Sequence, residues 1–371
     1  MTTGAARVVM FSQRNLYELE VWRSGLREFE ELIRGFDAVD LVAPHRGRWF
    51  AQRKRLALRV GRATDVVLNA GVPRVRLDRD YELFFAIVEK PGELLNVHSL
   101  EGWKDRCRTS ICWLNELWVK EMRWHRSSLK VLSDFDYVLS PLAESVDAIN
   151  RVIRGRCIYV PQSADAIALL PYPQEVTRSI DVLSVGRRSQ DVHQALLSLA
   201  REGKIFYVYD TLTNLHTDDI DGHRFLVTNL LKRSKYFVVH PAKWDRPDER
   251  GEQSEIGSRY FEGAAAGTIM IGTPPTTPEF ARVLPWPEAV VPLPSDADGI
   301  AQRLRELEQQ PERQQHIRRT NAEQSLLRHD WAYRWETIVT LAGLKPMPEL
   351  IKRKARLAEL AEMVRKGVIK T

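Results

Sequence analysis

Cysteine and long hydrophobic runs are what this sequence has least of. Only three of its 371 residues are cysteines, Cys107, Cys112 and Cys157, too few to indicate a disulfide framework in so long a chain. No apolar run approaches the roughly 18 residues of a membrane-spanning helix, and the first residues lack the apolar segment of a secretory signal. We therefore expect a cytoplasmic protein with reduced thiols.

Glycine and proline are not enriched. The chain has 20 Gly and 19 Pro, which excludes a collagen-like or low-complexity protein. Hydrophobic residues make up 44% of the chain and charged residues 28%, the proportions of a folded globular protein rather than a disordered one. At about 150 residues per domain, the length predicts two to three domains.

Positive charge is concentrated in two segments. The net charge is +6, yet residues 45–62 hold seven Lys or Arg and no acidic residue, and residues 345–371 hold eight Lys or Arg against three Glu. Such segments suit an anionic partner, such as lipid headgroups or a phosphorylated substrate, but they also occur as solvated helix faces.

The basic segment 45–62 interleaves Trp49, Phe50 and Leu56 with arginines. This pattern is typical of a helix that lies on a membrane surface. We therefore expect a peripheral contact of segments 45–62 and 346–371 with the inner face of a membrane, although both segments are also compatible with helices whose arginines face water. Nucleic acid is not an expected partner, because no recognisable nucleic-acid-binding motif is present.

Short apolar runs alternate with segments of helical period along the whole chain, which predicts parallel sheets covered by helices. The predicted strands are Arg7–Phe11, Val39–Ala43, Leu83–Val88, Ser110–Leu114, Asp136–Leu139, Cys157–Val160, Ile180–Val185, Ile205–Tyr209, Tyr236–His240, Thr268–Gly272 and Ala289–Val291. The predicted helices are Leu16–Ile33, Gly92–Arg106, Leu142–Ile153, Asp191–Arg201, Glu255–Ala266, Ile300–Gln309, Glu312–His329 and an amphipathic basic helix in the tail.

A proline-rich segment at Pro161–Pro173 separates two such α/β regions and is the expected linker. The predicted domains are residues 1–165 and 175–335, followed by a basic helical tail at 336–371. Two α/β domains in tandem are expected to bind a ligand in the cleft between the carboxyl ends of their sheets. The common nucleotide-binding and hydrolase motifs (a Walker loop, HExxH, CxxC, GxSxG, and GxGxxG after the first strand) are absent.

Three segments in the second half of the chain resemble segments of a known protein family. RYFEGAAAGTIMIG at Arg259–Gly272 resembles the donor-site helix and strand of GT-B glycosyltransferases. DVLSVGRR at Asp181–Arg188 looks like the phosphate loop of their nucleotide-sugar domain, and Leu230–Pro241 looks like the helix and strand that come before the donor-site helix. The resemblance covers most of residues 130–340, and it is nearest to the CgeB/spore-maturation-type branch of the family-4-like group.

The resemblance implies an α/β GT-B fold of two Rossmann-like domains, with the acceptor domain first, the donor domain second and the tail packed back on the first. It implies a glycosyltransferase that moves a sugar from a nucleoside diphosphate sugar to a hydroxyl acceptor, which is a glycan, a lipid-linked acceptor or a small molecule, as in polysaccharide biosynthesis. No cofactor and no bound metal are expected beyond the donor substrate.

The donor-binding candidates combine guanidinium groups with backbone amides near a helix start, because both stabilise the charge that develops on a leaving diphosphate. Glu262 is expected from the resemblance to accept hydrogen bonds from the ribose hydroxyls. The donor-binding candidates are Gly186, Arg187, Arg188, His240, Ser258, Arg259 and Glu262.

The sequence departs from the family pattern at the first carboxylate of the expected Glu–seven residues–Glu pair. Eight positions before Glu262 lies Ser254, while Glu255 is one place late and Glu252 is two places early. Glu255 is the catalytic candidate there. The resemblance implies a retaining reaction, and the displaced carboxylate leaves the stereochemistry open.

The acceptor domain is expected to contribute residues that follow the predicted strand SICWL. Asn115 and Glu116 occupy this place, with Glu116 as a candidate general base and Asn115 as a hydrogen-bond donor. Two other functions fit the same sequence. A non-catalytic GT-B-like protein would bind a polysaccharide or a membrane partner, and a nucleotide-sugar epimerase would convert the donor with no acceptor present.

Overall fold

The computed structural model describes residues 6–17, 20–64, 66–211 and 216–371. The chain divides into two compact units, each assembled from three stretches of sequence. The first unit comprises Met1–Pro161, Asp248–Gln253 and Arg334–Ile351, and the second comprises Gln162–Pro247, Ser254–Tyr333 and Lys352–Thr371.

The first unit contains a six-stranded parallel sheet in the order β2-β1-β4-β6-β7-β8 and a two-stranded sheet of β3 and β5. Its strands are β1 (Val8–Phe11), β2 (Val39–Val42), β3 (Val75–Arg76), β4 (Tyr81–Val88), β5 (Leu100–Glu101), β6 (Cys107–Leu114), β7 (Tyr137–Ser140) and β8 (Arg156–Tyr159).

The second unit contains a five-stranded parallel sheet in the order β10-β9-β11-β12-β13. Its strands are β9 (Ile180–Ser184), β10 (Tyr207–Tyr209), β11 (Ser234–Val239), β12 (Ile269–Gly272) and β13 (Val291–Pro292).

Helices connect the strands of both sheets, and three short 3-10 helices lie at Val21–Arg23, Pro91–Ser99 and Val119–Trp124. The α-helices are α1 (Ser24–Phe36), α2 (Phe50–Thr64), α3 (Trp103–Arg106), α4 (Arg126–Leu132), α5 (Ala143–Asn150), α6 (Ala166–Leu169), α7 (Gln190–Arg201), α8 (Ile220–Lys232), α9 (Pro247–Arg250), α10 (Ser258–Ala265), α11 (Pro278–Val283), α12 (Ala297–Glu308), α13 (Pro311–Arg328), α14 (Trp331–Leu341) and α15 (Pro348–Arg365).

Central strands are apolar because both of their faces are covered. Seven of the eight residues of β4 are buried, and Glu82 alone is exposed. All four residues of β1 and of β12 are also buried. Continuous apolar runs of this kind are typical of parallel sheets, and the strands predicted from such runs are confirmed to within three residues at each end.

Two predicted helices of the first unit were wrong in extent. The helix predicted at Leu16–Ile33 begins only at Ser24, after a 3-10 turn, and residues 18 and 19 of that segment lie outside the described residues. The segment Gly92–Arg106 is a 3-10 helix, strand β5 and the four-residue α3. Gly102, in the left-handed region at φ 84°, ends any continuous helix there.

Two further boundaries differ in the second unit. The segment predicted as a linker contains α6, whose first turn is capped by the Asp165 carboxylate accepting from the Ala168 amide at 2.8 Å. The helix predicted from Glu255 begins at Ser258, because the Glu255 carbonyl accepts instead from the Ala242 amide at 2.9 Å. Glu255 therefore lies in the loop before α10.

The stretch Arg334–Ile351 is an integral part of the first unit. The Trp335 side chain is fully buried, its ring centroid lies 5.5 Å from that of Phe85, and its indole donates to Asp37 at 3.1 Å. The Arg334 guanidinium donates to the Pro161 carbonyl at 2.8 Å. The late helix α14 thus contributes to a core whose other members are encoded early in the chain.

The C-terminal helix is anchored in the second unit by an ion cluster. The Arg353 guanidinium donates to Asp330 at 2.6 and 2.9 Å and to Asp165 at 2.7 Å, and Asp330 is fully buried. Burial raises the pKa of Asp330, and the hydrogen bonds and charge of Arg353 oppose that increase.

Replacing Arg353 with methionine is therefore expected to lower the free energy of unfolding by about 3–5 kcal/mol at pH 7, since Asp330 would keep its burial and lose the cation facing it. The loss should shrink as the pH falls, because protonation of Asp330 removes the uncompensated charge. Urea unfolding at pH 7 and pH 5 checks this. Arg356→Met, one turn away in an exposed ion pair, is the control and should cost less than about 1 kcal/mol.

None of the helices in the described parts of the chain is both long enough and apolar enough to cross a membrane.

Candidate active site

The loop after β9 turns at a glycine. Gly186 lies in the left-handed region at φ 79°, and its amide donates to the Asp210 carboxylate at 2.8 Å. The Arg188 guanidinium lies 3.2 Å from the same carboxylate. Asp210 follows the neighbouring strand β10, so the carboxyl ends of two adjacent strands bring these groups together.

An arginine–carboxylate network lies beside this loop. The Glu262 carboxylate accepts from Arg224 at 2.5 Å through one oxygen and from Arg259 at 2.6 Å through the other. Burial alone would raise the pKa of Glu262, but the charges and hydrogen bonds of the two guanidinium groups lower it to about 2. Glu262 therefore stays ionised at all ordinary pH values, and the network carries one net positive charge.

The network and the glycine loop are adjacent. A Cβ atom added to Gly186 would lie 3.2 Å from Nη2 of Arg259, so the guanidinium packs directly on the glycine. The Arg259 side chain is one-third exposed, while Glu262 is almost fully buried. One face of the Arg259 fork is thus fixed by Glu262 and another remains accessible, an arrangement suited to a phosphate group.

The other predicted donor residues lie nearby in the second unit in different environments. Arg187 is partly exposed and lies 3.3 Å from Asp245, and Ser258 is the first residue of α10. His240 follows β11, and neither of its ring nitrogens has a hydrogen-bond partner among the described residues. Burial lowers the pKa of His240 to about 4, against the opposing charge of Asp245, so its imidazole is neutral.

In the first unit, the predicted residue Asn115 forms hydrogen bonds with Glu89, a carboxylic acid that the sequence analysis did not single out. The Asn115 side-chain amide donates to both oxygens of Glu89 at 3.1 Å. Glu89 follows β4 and Asn115 follows β6, the adjacent strand. Glu116 accepts from the Trp118 indole at 2.8 Å, and its amide donates to the Glu89 carbonyl at 2.9 Å.

Glu89 is a buried acid without a direct cationic partner. Its exposure is 4%, and within the described residues its side chain forms no ion pair. Burial raises the pKa of Glu89 to about 8; Arg23 opposes this increase, and the charges of Glu116 and Glu93 add to it. A carboxyl group with a pKa near neutrality, at the carboxyl edge of a sheet, is suited to proton transfer.

The neighbouring acid Glu93 has the opposite environment. Its carboxylate is paired with the Arg23 guanidinium and accepts from the Glu89 amide at 3.0 Å. Arg23 also lies 4.3 Å from the centre of the Tyr17 ring and donates to Glu20 at 2.6 Å. Glu93 therefore has a direct cationic partner, whereas Glu89 has none among the described residues.

The residues that the sequence analysis did not single out differ in whether a sequence pattern marks them. Glu89 and Asp210 each come directly after an apolar strand, so a search of every strand end would have found them. Arg224 lies in α8, 38 residues before Glu262, and no local pattern marks it. In the described part of the chain, no group of three or more His, Cys, Asp or Glu side chains could hold a metal ion.

Two solved structures have an architecture similar to that of this chain. An alpha-glucosyltransferase in complex with UDP and a 13-mer DNA is 11% identical, with 92% of this chain and 100% of that chain covered and a TM-score of 0.55. Anabaena HepE in complex with UDP and glucose is 10% identical, with 91% of this chain and 100% of that chain covered and a TM-score of 0.51. The protein has the GT-B fold of two Rossmann-like units, as predicted.

The sequence itself also matches a family. The model described as "Glycosyl transferase-like" covers residues 197–340, a range that includes Asp210, Arg224, Arg259 and Glu262. A search of the curated proteins finds no significant match. The matched range covers less than half of the chain and lies mostly in the second unit.

Proposed function

We propose that the protein transfers a glycosyl group from a nucleoside diphosphate sugar to a hydroxyl acceptor. The observation that carries this proposal is the Arg224–Glu262–Arg259 network, which lies within the segment that matches the glycosyl transferase-like family. The network lies beside Gly186, whose backbone is in the left-handed region. Both solved neighbours are described as complexes with UDP, which favours a uridine nucleotide as the first donor to test.

On the donor side, the diphosphate binds beside Gly186, against Arg188 and the accessible face of Arg259. As the bond from the anomeric carbon to the phosphate oxygen breaks, the electron pair leaves with the diphosphate. Arg259 and Arg188 stabilise that charge without reorganising, because Glu262 and Asp210 hold their guanidinium groups in place. The neutral His240 donates a hydrogen bond to the same ligand.

Glu262 has a second role in this proposal. Each of its oxygens accepts one hydrogen bond from a guanidinium group, and an ionised carboxylate has about four acceptor positions. The remaining positions accept hydrogen bonds from the ribose hydroxyls. Glu255 lies in the loop directly before α10. We therefore place it on the donor side of the reaction.

On the acceptor side, Glu89 is the general base and Asn115 is the residue that orients it. The Glu89 carboxylate removes the proton from the acceptor hydroxyl as its oxygen bonds to the anomeric carbon. Glu116 raises the proton affinity of Glu89 through its charge. A base that assists direct displacement predicts inversion at the anomeric carbon, in contrast to the retaining outcome implied by the resemblance to the family-4-like group.

Two finer assignments remain predictions. One is membership of the CgeB/spore-maturation-type branch. The other is contact of segments 45–62 and 346–371 with an anionic membrane surface on the cytoplasmic side. The exposure of Leu56 on the basic helix α2 supports that contact.

Thermal-shift measurements with UDP, GDP, ADP, TDP and CMP test the donor site. We expect one nucleoside diphosphate to raise the melting temperature of the native protein, and the shift to disappear in an Arg188→Ala/Arg259→Ala variant. Arg282→Ala, which removes an exposed arginine of α11 in the same unit, is the control and should retain the shift.

The other two functions make different predictions in the same experiment. A nucleotide shift without transfer to any acceptor would favour a non-catalytic binding protein. Conversion of the nucleotide sugar in the absence of an acceptor would favour an epimerase. A protein that no nucleotide stabilises would contradict the proposed donor site.

A further inference from the structure

A pocket of about 640 Å³ lies in the first unit, away from the residues assigned above. It is formed by the start of α2 and the loop that follows that helix, and its volume is in the range of small-molecule sites. We call it the arginine pocket, lined by Gly47, Arg48, Trp49, Arg53, Asn69, Gly71, Val72, Pro73 and Arg74.

Two glycines bring the walls of the arginine pocket together. A Cβ atom on Gly47 would lie 2.3 Å from the Gly71 carbonyl oxygen, so the two loops touch through their backbones. Gly71 has φ 89°, and the Asn69 side chain accepts from the amides of Gly71 and Val72 at 2.7 and 2.9 Å. The Arg53 stem packs on Gly71, where a Cβ would lie 2.9 Å from its Cδ. Backbone contacts and side-chain hydrogen bonds therefore hold the walls of the pocket together.

The charge of the arginine pocket is positive and largely uncompensated. None of the described residues that line it is acidic. Arg48 and Arg53 form no ion pair within the described parts of the chain, and Arg74 pairs only at the surface with Glu101 at 2.8 Å. Guanidinium groups with free donors, gathered in one concave site, favour a phosphate group over a carboxylate because of its larger charge and number of acceptors.

Trp49 gives the pocket a second kind of surface. Its side chain is 57% exposed, which is unusual for tryptophan, and its backbone has φ 65°, a left-handed conformation that costs roughly 1–3 kcal/mol for a bulky residue. The Arg48 guanidinium lies 5.6 Å from the ring centre. An exposed indole ring beside phosphate-binding groups offers a flat apolar face against which a sugar ring stacks.

The arginine pocket lies in the same unit as the proposed base, and a chain of hydrogen bonds beside it extends to Glu93. Its loop follows β2, at the same carboxyl edge of the sheet as Glu89. Lys54, next to Arg53 on α2, donates to the Tyr17 hydroxyl at 2.5 Å, and the same hydroxyl accepts from Asn96 at 3.3 Å. Asn96 donates to Gln13 at 2.6 Å, and Gln13 donates to the carbonyl of Glu93 at 3.1 Å.

We propose that the arginine pocket binds the phosphate group of a phosphorylated saccharide that serves as the acceptor, with Trp49 against its sugar ring. Because it names the acceptor class, this inference rests on the proposed function. It assigns a defined site to part of the basic segment 45–62, since Arg48 and Arg53 contact the phosphate.

Isothermal titration of the full-length protein tests the inference, with hexose 1-phosphates and 6-phosphates of glucose, mannose and N-acetylglucosamine as probes. Glucose, inorganic phosphate, a 13-mer DNA duplex and phosphatidylglycerol vesicles are the comparison arms. We expect at least one hexose phosphate to bind, with at least tenfold weaker affinity in Arg48→Gln/Arg53→Gln. The matched control Arg55→Gln/Arg59→Gln removes the same charge from exposed positions of α2 outside the pocket and should bind normally.

A further variant separates the two halves of the ligand. Trp49→Gly suits the left-handed backbone and removes the indole ring, so we expect it to weaken hexose phosphate binding and to leave inorganic phosphate binding unchanged. Equal losses in both double variants would overturn the inference, since they would indicate diffuse charge attraction. Binding of vesicles or DNA without hexose phosphate binding, or no binding at all, would also overturn it.

Failure of this inference is distinguishable from failure of the proposed function. The nucleotide thermal shift depends on the second unit, so it should persist in Arg48→Gln/Arg53→Gln. Loss of hexose phosphate binding with the nucleotide shift retained supports the arginine pocket. A native protein that shows the nucleotide shift but binds no hexose phosphate leaves the donor site intact and contradicts the pocket alone.

Discussion

Replacing Glu89 with glutamine is expected to lower kcat for glycosyl transfer by about 10²–10⁴-fold, the contribution of a general base. Glutamine keeps the shape of the side chain and its contact with Asn115 but removes the ability to accept the acceptor proton. Because burial raises the pKa of Glu89 to about 8, rates in the native protein should rise with pH up to about pH 8 and then level off. The variant should lack that rise.

Stability should respond to the same substitution in a different way. An acid whose pKa is raised in the native state binds more protons there than in the unfolded chain, so its contribution to the free energy of unfolding falls between about pH 4.5 and pH 8. At pH 7 Glu89 is mostly protonated, and a neutral amide replaces a neutral acid at little cost. At pH 9 the Glu89→Gln variant should be more stable than the native protein.

Two further variants make the Glu89 prediction specific. Glu82→Gln changes an exposed residue of the same strand and should leave both activity and stability within error. Glu116→Gln tests the alternative base, since a loss of the pH-dependent rise in that variant, with Glu89→Gln active, would assign the proton transfer to Glu116. Retention of nucleotide binding in Glu89→Gln separates a catalytic defect from loss of the donor site.

Replacing Arg259 with alanine is expected to lower kcat by about 10²–10³-fold, the usual cost of removing one group that stabilises the leaving charge. The fold should survive, because Glu262 keeps its hydrogen bond from Arg224. Steady-state kinetics with the nucleotide sugar selected by the thermal-shift panel measure the effect. In the native protein, protonation of Glu262 should not lower the activity above about pH 4, since the pKa of Glu262 is about 2.

Substitution by lysine is a sharper test of the same residue. Lysine restores the charge but not the planar guanidinium group. In our proposal, Glu262 holds one side of that group and the phosphate binds to the other side. We expect Arg259→Lys to recover only part of the lost rate. If Arg259→Ala and the exposed control Arg282→Ala both kept native activity, Arg259 would have no role in the reaction. An equal loss of activity in both variants would indicate a general effect of charge.

The sequence predicted the two sheets well because parallel strands covered on both faces are continuous apolar runs. LFFAIV in β4 and TIMIG in β12 have no alternative environment in a folded chain. The loop after β9 could also be singled out as a candidate site, since a glycine and two arginines directly follow the strand DVLSV. These features are local, and their physical causes act within about ten residues.

What could not be predicted depends on partners distant in sequence. Glu262 was found from its local motif, but Arg224 was not, because its role arises only when α8 and α10 meet. The environment of Glu89 comes from residues of three separate segments, including Arg23 and Asn115. The start of α1 at Ser24 rather than Leu16 has a local cause instead: the amide of Leu16 donates to the Gln13 carbonyl, and the chain turns there.

The interleaving of the two units along the chain bears on how such enzymes exchange specificities. A chimera made by one crossover near Pro161 would combine an early half from one enzyme with a late half from another, and the late half would bring its own version of residues 334–351. The imported Trp335 would then have to fit a foreign Phe85 and Asp37. Recombinants that change the donor unit while keeping Arg334–Ile351 from the recipient should therefore fold more often than simple half-and-half fusions.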